Sequence, residues 1–289
     1  MPYGSPDYPA RLAAVPGPPS LLYFKGALRP EDANAIAIVG SRTCTGYGKR
    51  VAAQFAGGLV RAGWTVVSGL ARGIDGAAHR GVLDAGGRTV AVLAGGLSRI
   101  YPPEHADLAA EVAANGALIS ETPMTVDPQP GMFPARNRII SGLCRAVVIV
   151  EANERSGALI TATHAAEQGR EVFAVPGPVD SPASAGCLEL IRKGARLVRS
   201  VDDILDDVRG IAPPDPPAGK TERRVLPPVP PTPPPNLDPV QQKVWDALDA
   251  AKPADDLARE TGLSAGELST VLMKLELKKV IRRLPGNTF

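Results

Sequence analysis

The chain has 289 residues, enough for one sizeable core and a second small unit, and its 44% hydrophobic and 21% charged residues describe an ordinary globular protein. The net charge of +2 is too small to indicate a nucleic-acid partner by itself, so any basic surface must be local. Three scattered cysteines and three scattered histidines indicate neither a disulfide framework nor a metal site, and the longest apolar runs are far too short to span a membrane, so a cytoplasmic protein is expected.

Residues 1–35 are rich in proline and predict an irregular N-terminal arm that adds one short apolar strand, residues 21–24, to a sheet. From residue 36 to about residue 209 the pattern alternates between buried strands and amphipathic helices. Strands are expected near 36–39, 65–67, 89–93, 117–119, 146–150, 171–175 and 196–198, and helices near 47–62, 74–85, 104–114, 136–143, 158–168 and 186–194. This alternation predicts an α/β domain with a mainly parallel sheet and helices on both faces, whose ligands bind beyond the carboxyl ends of the strands.

The first buried strand ends in the small-residue loop Gly40, Ser41 and Arg42 before a helix begins. Free backbone N–H groups and a helix N-terminus bind anions, and Arg42 adds a planar donor fork. The loop matches neither the dinucleotide fingerprint nor the Walker pattern, so no cofactor is predicted. The alternative is a tight turn with a solvated arginine.

Similar turns follow other strands, namely Ser68, Gly69, Arg72 and Gly73 after the second strand, and Ser156 and Gly157 at the start of a later helix. One nucleotide needs only one or two such turns, so a row of them favours an extended polyanion, a nucleic-acid strand. Asp75 is expected to cap the helix that follows Gly73, and a catalytic role for it is less favoured. His79, one turn later, is expected to be packed in the core or paired with Asp75.

The segment around residues 131–138 combines an aromatic ring with donors, since Phe133 is followed by Arg136, Asn137 and Arg138 at a helix start. The arginines suit a phosphodiester and Phe133 offers a flat surface to a base. In the alternative, Phe133 is core and the arginines pair with Glu121, Glu151 or Asp75. Helix 186–194 carries two cations, Arg192 and Lys193, and apolar residues that form either core or a self-association face, Leu188, Leu190 and Ile191.

Residues 210–238 are dominated by proline and predict an extended linker. Residues 239–289 then predict a winged helix, with helices near 239–250, 254–261 and 264–276 and a two-strand wing after them. The third helix carries Lys274 against Glu267 and Glu276, so binding to protein is at least as well supported as reading of a duplex groove.

Five motifs, taken together and in order, resemble the DprA/Smf family of bacterial DNA processing proteins, and the tail resembles that family's winged-helix domain. They lie at 37–48, 68–79, 133–143, 151–161 and 169–177. The resemblance implies an extended Rossmann-like domain in a homodimer that is not an enzyme and that binds single-stranded DNA, protects it and loads RecA recombinase onto it in natural transformation or repair. The helical N-terminal domain of some members is not expected here.

The resemblance also implies roles for single residues. Phe133 would stack on a base, Arg192 and Lys193 would extend a basic track, and the dimer contact would lie near Leu188, Leu190 and Ile191. The phosphate pocket would be lined by Gly40, Ser41, Arg42, Ser68, Gly69, Arg72, Gly73, Arg136, Asn137, Arg138, Ser156 and Gly157.

Two other functions stay open. A Rossmann-like sheet with an Arg-Asn motif also occurs in phosphoribohydrolases, in which case Glu121, Asp75 or Glu151 would be the catalytic carboxylate, although no two carboxylates form an evident acid–base pair. A winged-helix regulator of duplex DNA is the third possibility, and the weakly basic third helix argues against it.

Overall fold

The computed structural model describes residues 1–209, 237–248, 252 and 254–277. The chain splits into two compact units, Met1–Gly219 and Lys220–Phe289, and each is described by itself. No helix in the described ranges is long and apolar enough to cross a bilayer.

The first unit alternates strands and helices in the predicted order. Its strands are β1 Tyr23–Gly26, β2 Ala35–Val39, β3 Thr65–Ser68, β4 Thr89–Val92, β5 Ala117–Ser120, β6 Ala146–Ile149, β7 Glu171–Ala174 and β8 Arg196–Leu197. Its helices are α1 Ala10–Ala13, α2 Gly46–Arg61, α3 Ile74–Asp84, α4 Ala106–Asn115, α5 Met132–Leu143, α6 Gly157–Glu167, α7 Ala185–Arg192 and α8 Val201–Arg209. The strands form one sheet in the order β1-β5-β4-β3-β2-β6-β7-β8, parallel except for β1 against β5. The predicted α/β class and mainly parallel sheet are confirmed.

The sheet is buried on both faces, which explains its continuous apolar strands. Successive residues of β2 point to opposite sides, so Ile36 and Ile38 join one core while Ala37 and Val39 join the other. The strand order reverses beside β2, whose two neighbours are β3 and β6, and open α/β sheets bind ligands at such a point.

The main differences from the sequence-based prediction concern the strand of the arm, the start of α5 and the helix α8. The arm's strand begins at Tyr23 rather than at 21, because Leu22 is buried and its N–H donates to the Met1 carbonyl instead of to β5. Helix α5 begins at Met132 rather than at 136, so Phe133 stands in its first turn, with Pro134 where a helix start accepts proline. Helix α8 was not predicted, although its buried residues Ile204, Leu205 and Val208 follow helical spacing.

The second unit contains the three predicted helices, α9 Pro239–Asp246, α10 Ala254–Thr261 and α11 Ala265–Leu277. They enclose a small apolar core made of Val244, Leu257, Leu268, Val271, Leu272 and Leu275. The predicted wing and residues 210–236 of the predicted linker lie outside the described residues.

Candidate nucleic-acid interface

Glu151, just after β6, fixes the loop after β2. The backbone N–H of Ser41 donates to the Glu151 carbonyl at 2.7 Å. The Glu151 carboxylate accepts from the Thr45 N–H at 2.8 Å and from the Thr45 hydroxyl at 2.6 Å, and it lies where a Cβ at Gly48 would stand. Both carboxylate oxygens of this buried residue are therefore engaged in holding the loop.

Asp75 organises the loop after β3. Its buried carboxylate accepts from the N–H groups of Gly69 at 3.1 Å and Ala71 at 3.4 Å, and burial raises its pKa while nearby Arg136 opposes that shift. The N-cap of α3 is Gly73, so the expected capping role of Asp75 is wrong: the carboxylate reaches back to the preceding loop instead. Gly73 has φ +77° and lies against the Ser41 carbonyl, which also accepts from the Ile74 N–H at 3.2 Å. The loops after β2 and β3 thus form one unit.

The remaining small residues of these loops are packed. Gly40 lies against Ile74, because a Cβ there would approach that side chain to 2.6 Å. The buried Ser68 hydroxyl donates to the Ile38 carbonyl at 2.6 Å. These residues position the loops, and the polar groups at the surface come from the arginines.

Arg136 lies beneath the loops, only 5% exposed. Its Nη1 donates to the Gly69 carbonyl at 2.7 Å and to the Val92 carbonyl, which joins the loop after β3 to β4. Burial lowers its pKa to about 10, with Asp75 opposing and Arg42 adding to that shift, so it stays a cation at neutral pH. Gly69 makes room for it, since a Cβ there would lie 2.6 Å from the guanidinium.

The two residues after Arg136 also bind protein groups. Asn137 donates to the Gly157 carbonyl at 3.2 Å, which connects α5 to the start of α6, where Ser156 caps the helix by accepting from the Ala158 N–H. Arg138 donates to Glu121 at 2.6 Å in a half-buried ion pair. The sequence-based alternative, in which an arginine of this segment pairs with Glu121, therefore holds for Arg138.

An alternating cluster of two arginines and two aromatic rings faces the cleft above these loops, and we call it the cation–aromatic cluster. The exposed Arg42 places its Cζ 4.6 Å from the centroid of the Phe133 ring. Phe133 meets Tyr101 edge-on, with centroids 5.6 Å apart, and the Cζ of Arg72 lies 5.8 Å from the Tyr101 centroid. Arg72 also pairs with Glu104 at 2.5 Å, whereas Arg42 makes no ion pair within residues 1–209.

The cleft brings together five of the predicted residues, Arg42, Gly69, Arg72, Phe133 and Arg136. Its wall also includes Arg99, Tyr101, Leu93 and Pro128. Sequence reasoning did not single out Tyr101 or Arg99. One sequence feature could have identified them: an aromatic residue and a cation follow the third strand of the parallel sheet, in a loop at the edge where ligands bind.

Helix α7 lies outside the residues that line this cleft. Arg192 donates to Glu189 at 2.7 Å, and Lys193 lies 3.3 Å from the same carboxylate. The hydrogen bonds from Arg192 lower the pKa of Glu189 to about 2. The two expected track residues therefore share one anion. Leu190 and Ile191 are half-buried against the core, and Leu188 is half-buried too; a role for them in a dimer contact stays a prediction.

The three carboxylates considered for catalysis are each held by protein donors. Glu121 pairs with Arg138, Asp75 binds backbone N–H groups and Glu151 binds Thr45. This arrangement gives them structural roles and offers no free acid–base pair of these residues in the cleft.

Comparison with known proteins gives consistent matches over both units. A family model for DNA recombination-mediator protein A matches residues 1–209, and one for the DprA winged helix domain matches residues 228–287. The chain is 45% identical over 209 residues to DNA processing protein DprA of Bacillus subtilis, covering 72% of this chain and 70% of that protein. It is 41% identical over 293 residues to protein Smf of Escherichia coli, covering 99% and 75%.

Two solved structures are similar to this chain over about 70% of its length. DNA processing protein A from Streptococcus pneumoniae aligns with a TM-score of 0.69 at 41% identity, covering 72% of this chain and 73% of that one. The protein of the same name from Helicobacter pylori aligns with a TM-score of 0.64 at 30% identity, covering 70% and 92%, and its structure describes a single-stranded DNA binding mode.

Proposed function

The chain belongs to the DNA recombination-mediator protein A family and carries that family's winged-helix domain, and on this premise we propose that it binds single-stranded DNA, protects it and loads RecA recombinase onto it as a homodimer. The H. pylori relative's single-strand binding mode supports the first step. Loading of RecA and dimerisation are the further steps of the same proposal.

The observation that carries the proposal is the exposed guanidinium of Arg42, 4.6 Å from the Phe133 ring at the carboxyl edge of the sheet. A phosphate needs a cation with several donors, and a base needs a flat apolar surface. One nucleotide presents both groups side by side, as the cluster does. Because stacking tolerates every base, we expect binding with little sequence preference.

Within this proposal the predicted residues divide between contact and support. Arg42, Arg72, Phe133 and Tyr101 face the cleft and contact the strand. Those that fix the loops and helix starts from beneath are Gly40, Ser41, Ser68, Gly69, Gly73, Arg136, Asn137, Arg138, Ser156 and Gly157. Arg192 and Lys193 add a weaker track, because Glu189 already neutralises part of their charge.

The binding step is tested by fluorescence anisotropy of labelled oligo-dT and of a matched duplex across a salt series. The wild type is expected to prefer the single strand, and Arg42→Ala to bind it about tenfold more weakly, with a salt slope reduced by about 0.7. Arg80→Ala is the control, because that exposed arginine of α3 also carries one charge but pairs with Glu111 of α4 at 2.8 Å. Equal losses in both variants, or equal binding of the duplex, would contradict the proposal.

The loading step needs its own measurement. The rate at which RecA assembles on single strands already coated with a single-strand-binding protein is expected to rise with wild-type protein and to rise less with Arg42→Ala. An assembly rate unaffected by wild-type protein at saturating concentration would exclude the loading role while leaving the binding step intact.

A further inference from the structure

The edge of the sheet opposite the cleft, where the parallel strands begin, carries three arginines that we call the arginine row: Arg11, Arg145 and Arg170. Arg145 and Arg170 immediately precede β6 and β7, which are in register from Ala146 and Glu171 onwards, so the two arginines occupy neighbouring positions. Arg11 in α1 adjoins them, because Nη2 of Arg170 donates to the Arg11 carbonyl at 3.2 Å.

The row concentrates positive charge, and two of its members, Arg11 and Arg170, have no carboxylate partner among the described residues. All three side chains are half-buried. Arg11 donates to the Ala33 carbonyl at 3.2 Å and Arg170 also to the Gly142 carbonyl at 3.4 Å, but no carboxylate acts on either guanidinium within the described residues. The buried Nε of Arg170 has no hydrogen-bond acceptor in the part of the chain that the structure describes. Among the described residues, backbone carbonyls thus satisfy some donors of Arg11 and Arg170 and leave the charges of these two side chains uncompensated.

Burial in this environment lowers the pKa of both Arg11 and Arg170. Burial, together with the positive charges of Arg145 and Arg170, lowers the pKa of Arg11 to about 10, and burial lowers the pKa of Arg170 as well. A lowered pKa in a cation means that its charged form is held at a cost, which a bound anion would offset.

An aromatic ring accompanies the row, as it does in the cleft. The Cζ of Arg145 lies 5.8 Å from the ring centroid of Trp64, a half-buried residue directly before β3. Guanidinium forks suit phosphate better than ammonium groups do, and nearby aromatic surface favours a nucleotide over a simple inorganic anion.

We propose that Arg11 and Arg170, with Arg145 beside them, form a second phosphate-binding site, and that its ligand is a backbone phosphate of a single strand already held in the cleft. This inference rests on the proposed function. The two edges are separated by the length of strands such as β2, whose five residues span about 17 Å, so only a strand longer than the cleft reaches both.

The site is tested with a short oligo-dT of about 4 nucleotides, which is too short to occupy both edges, and a long one of about 40. The double variant Arg11→Gln with Arg170→Gln is expected to bind the short strand as the wild type does. It should bind the long strand roughly tenfold more weakly, with a salt slope smaller by about 1.4. The control, Arg80→Gln with Arg199→Gln, removes the same charge from exposed arginines that pair with Glu111 and Asp203. Unchanged binding of the long strand by the first variant, or the same loss in the control, would overturn the proposal.

A second measurement separates this inference from the proposed function and from effects on folding. Inorganic phosphate is expected to raise the melting temperature of Arg42→Ala, which retains the arginine row, and to raise by less that of the triple variant that adds Arg11→Gln and Arg170→Gln to Arg42→Ala, because the triple variant lacks the row. If single strands do not bind the wild type while this phosphate effect persists, the proposed function fails and the row is a site for free phosphate, which overturns its assignment to DNA. If the glutamine pair does not fold, Arg11→Lys with Arg170→Lys keeps both charges without the fork, and a loss confined to the long strand is again required.

Discussion

Burial separates two kinds of arginine in the candidate interface. Arg42 is exposed on the Phe133 ring, whereas Arg136 is 5% exposed and binds the Gly69 and Val92 carbonyls. Sequence reasoning found both, because arginines near strand ends are visible in the sequence. Which arginine is exposed and which is buried was not predictable, because this depends on where α5 begins. That helix starts four residues earlier than its sequence pattern indicated.

Replacing Arg136 is expected to act on stability. Arg136→Met removes the donor from two carbonyls and leaves buried Asp75 without the cation that opposes its raised pKa, so the free energy of unfolding should fall by about 3 kcal/mol. Urea denaturation measures this, with Arg42→Ala expected to stay within about 0.5 kcal/mol of the wild type. Similar stabilities for the two variants would show that the buried contacts contribute little.

His79 gives the protein a defined acid sensitivity. The side chain is fully buried, with Nδ1 2.8 Å from the Thr89 hydroxyl, and burial lowers its pKa from 6.5 to about 3. The unfolded chain therefore binds a proton between pH 6.5 and 3 that the folded chain excludes. Stability present above pH 6.5 should be lost as the pH falls through this window, by up to about 1.4 kcal/mol per pH unit.

The check compares wild type with His79→Leu by urea denaturation at several pH values. The variant is less stable at pH 7, and the difference in unfolding free energy should shrink on acidification because leucine does not titrate. A difference that stays constant from pH 7 to pH 4 would contradict the assigned cause.

At the scale of elements, the strands of the parallel sheet were predictable because burial on both faces leaves continuous apolar runs. The loops between them were predictable only as candidates. Their shape depends on two carboxylates, Glu151 and Asp75, that bind backbone N–H groups of those loops, and Glu151 reaches residues more than a hundred positions away in sequence. For Asp75, sequence suggested a cap or a catalytic group, because no sequence pattern shows that its carboxylate turns back to the N–H groups of Gly69 and Ala71 in the preceding loop.

Gly73 tests whether the two loops form one unit. Gly73→Ala places a methyl group against the Ser41 carbonyl at φ +77°, so the unfolding free energy should drop by roughly 3 kcal/mol and oligo-dT binding should weaken. Gly63→Ala is the matched control, because Gly63 has φ +84° but open space around its Cα, and it should cost about 1 kcal/mol without affecting binding. Equal effects of the two substitutions would argue against the coupling of the loops.

For the whole molecule, composition predicts a domain boundary in the proline-rich segment after residue 209, since that segment has no apolar pattern. The three helices of the second unit were also predicted, from their spacing. Every residue of the cation–aromatic cluster lies in the first unit, which has its own cores on both faces of the sheet.

A fragment of residues 1–209 is therefore expected to fold and to bind oligo-dT within about twofold of the full chain. Circular dichroism establishes folding and anisotropy measures affinity. A folded fragment with affinity reduced tenfold or more would place an essential part of the interface after residue 209.

The central claim is that Arg42 binds a phosphate while Phe133 stacks on the adjacent base. Its most direct test compares the binding of oligo-dT with that of an abasic strand of the same length. For the wild type, loss of the bases should weaken binding by about 1–3 kcal/mol, because stacking is lost while the phosphates remain. For Phe133→Ala the two strands should bind almost equally, and for Arg42→Ala both should weaken together. If Phe133→Ala instead discriminates between the strands as strongly as the wild type does, no base stacks on Phe133 and the claim is contradicted.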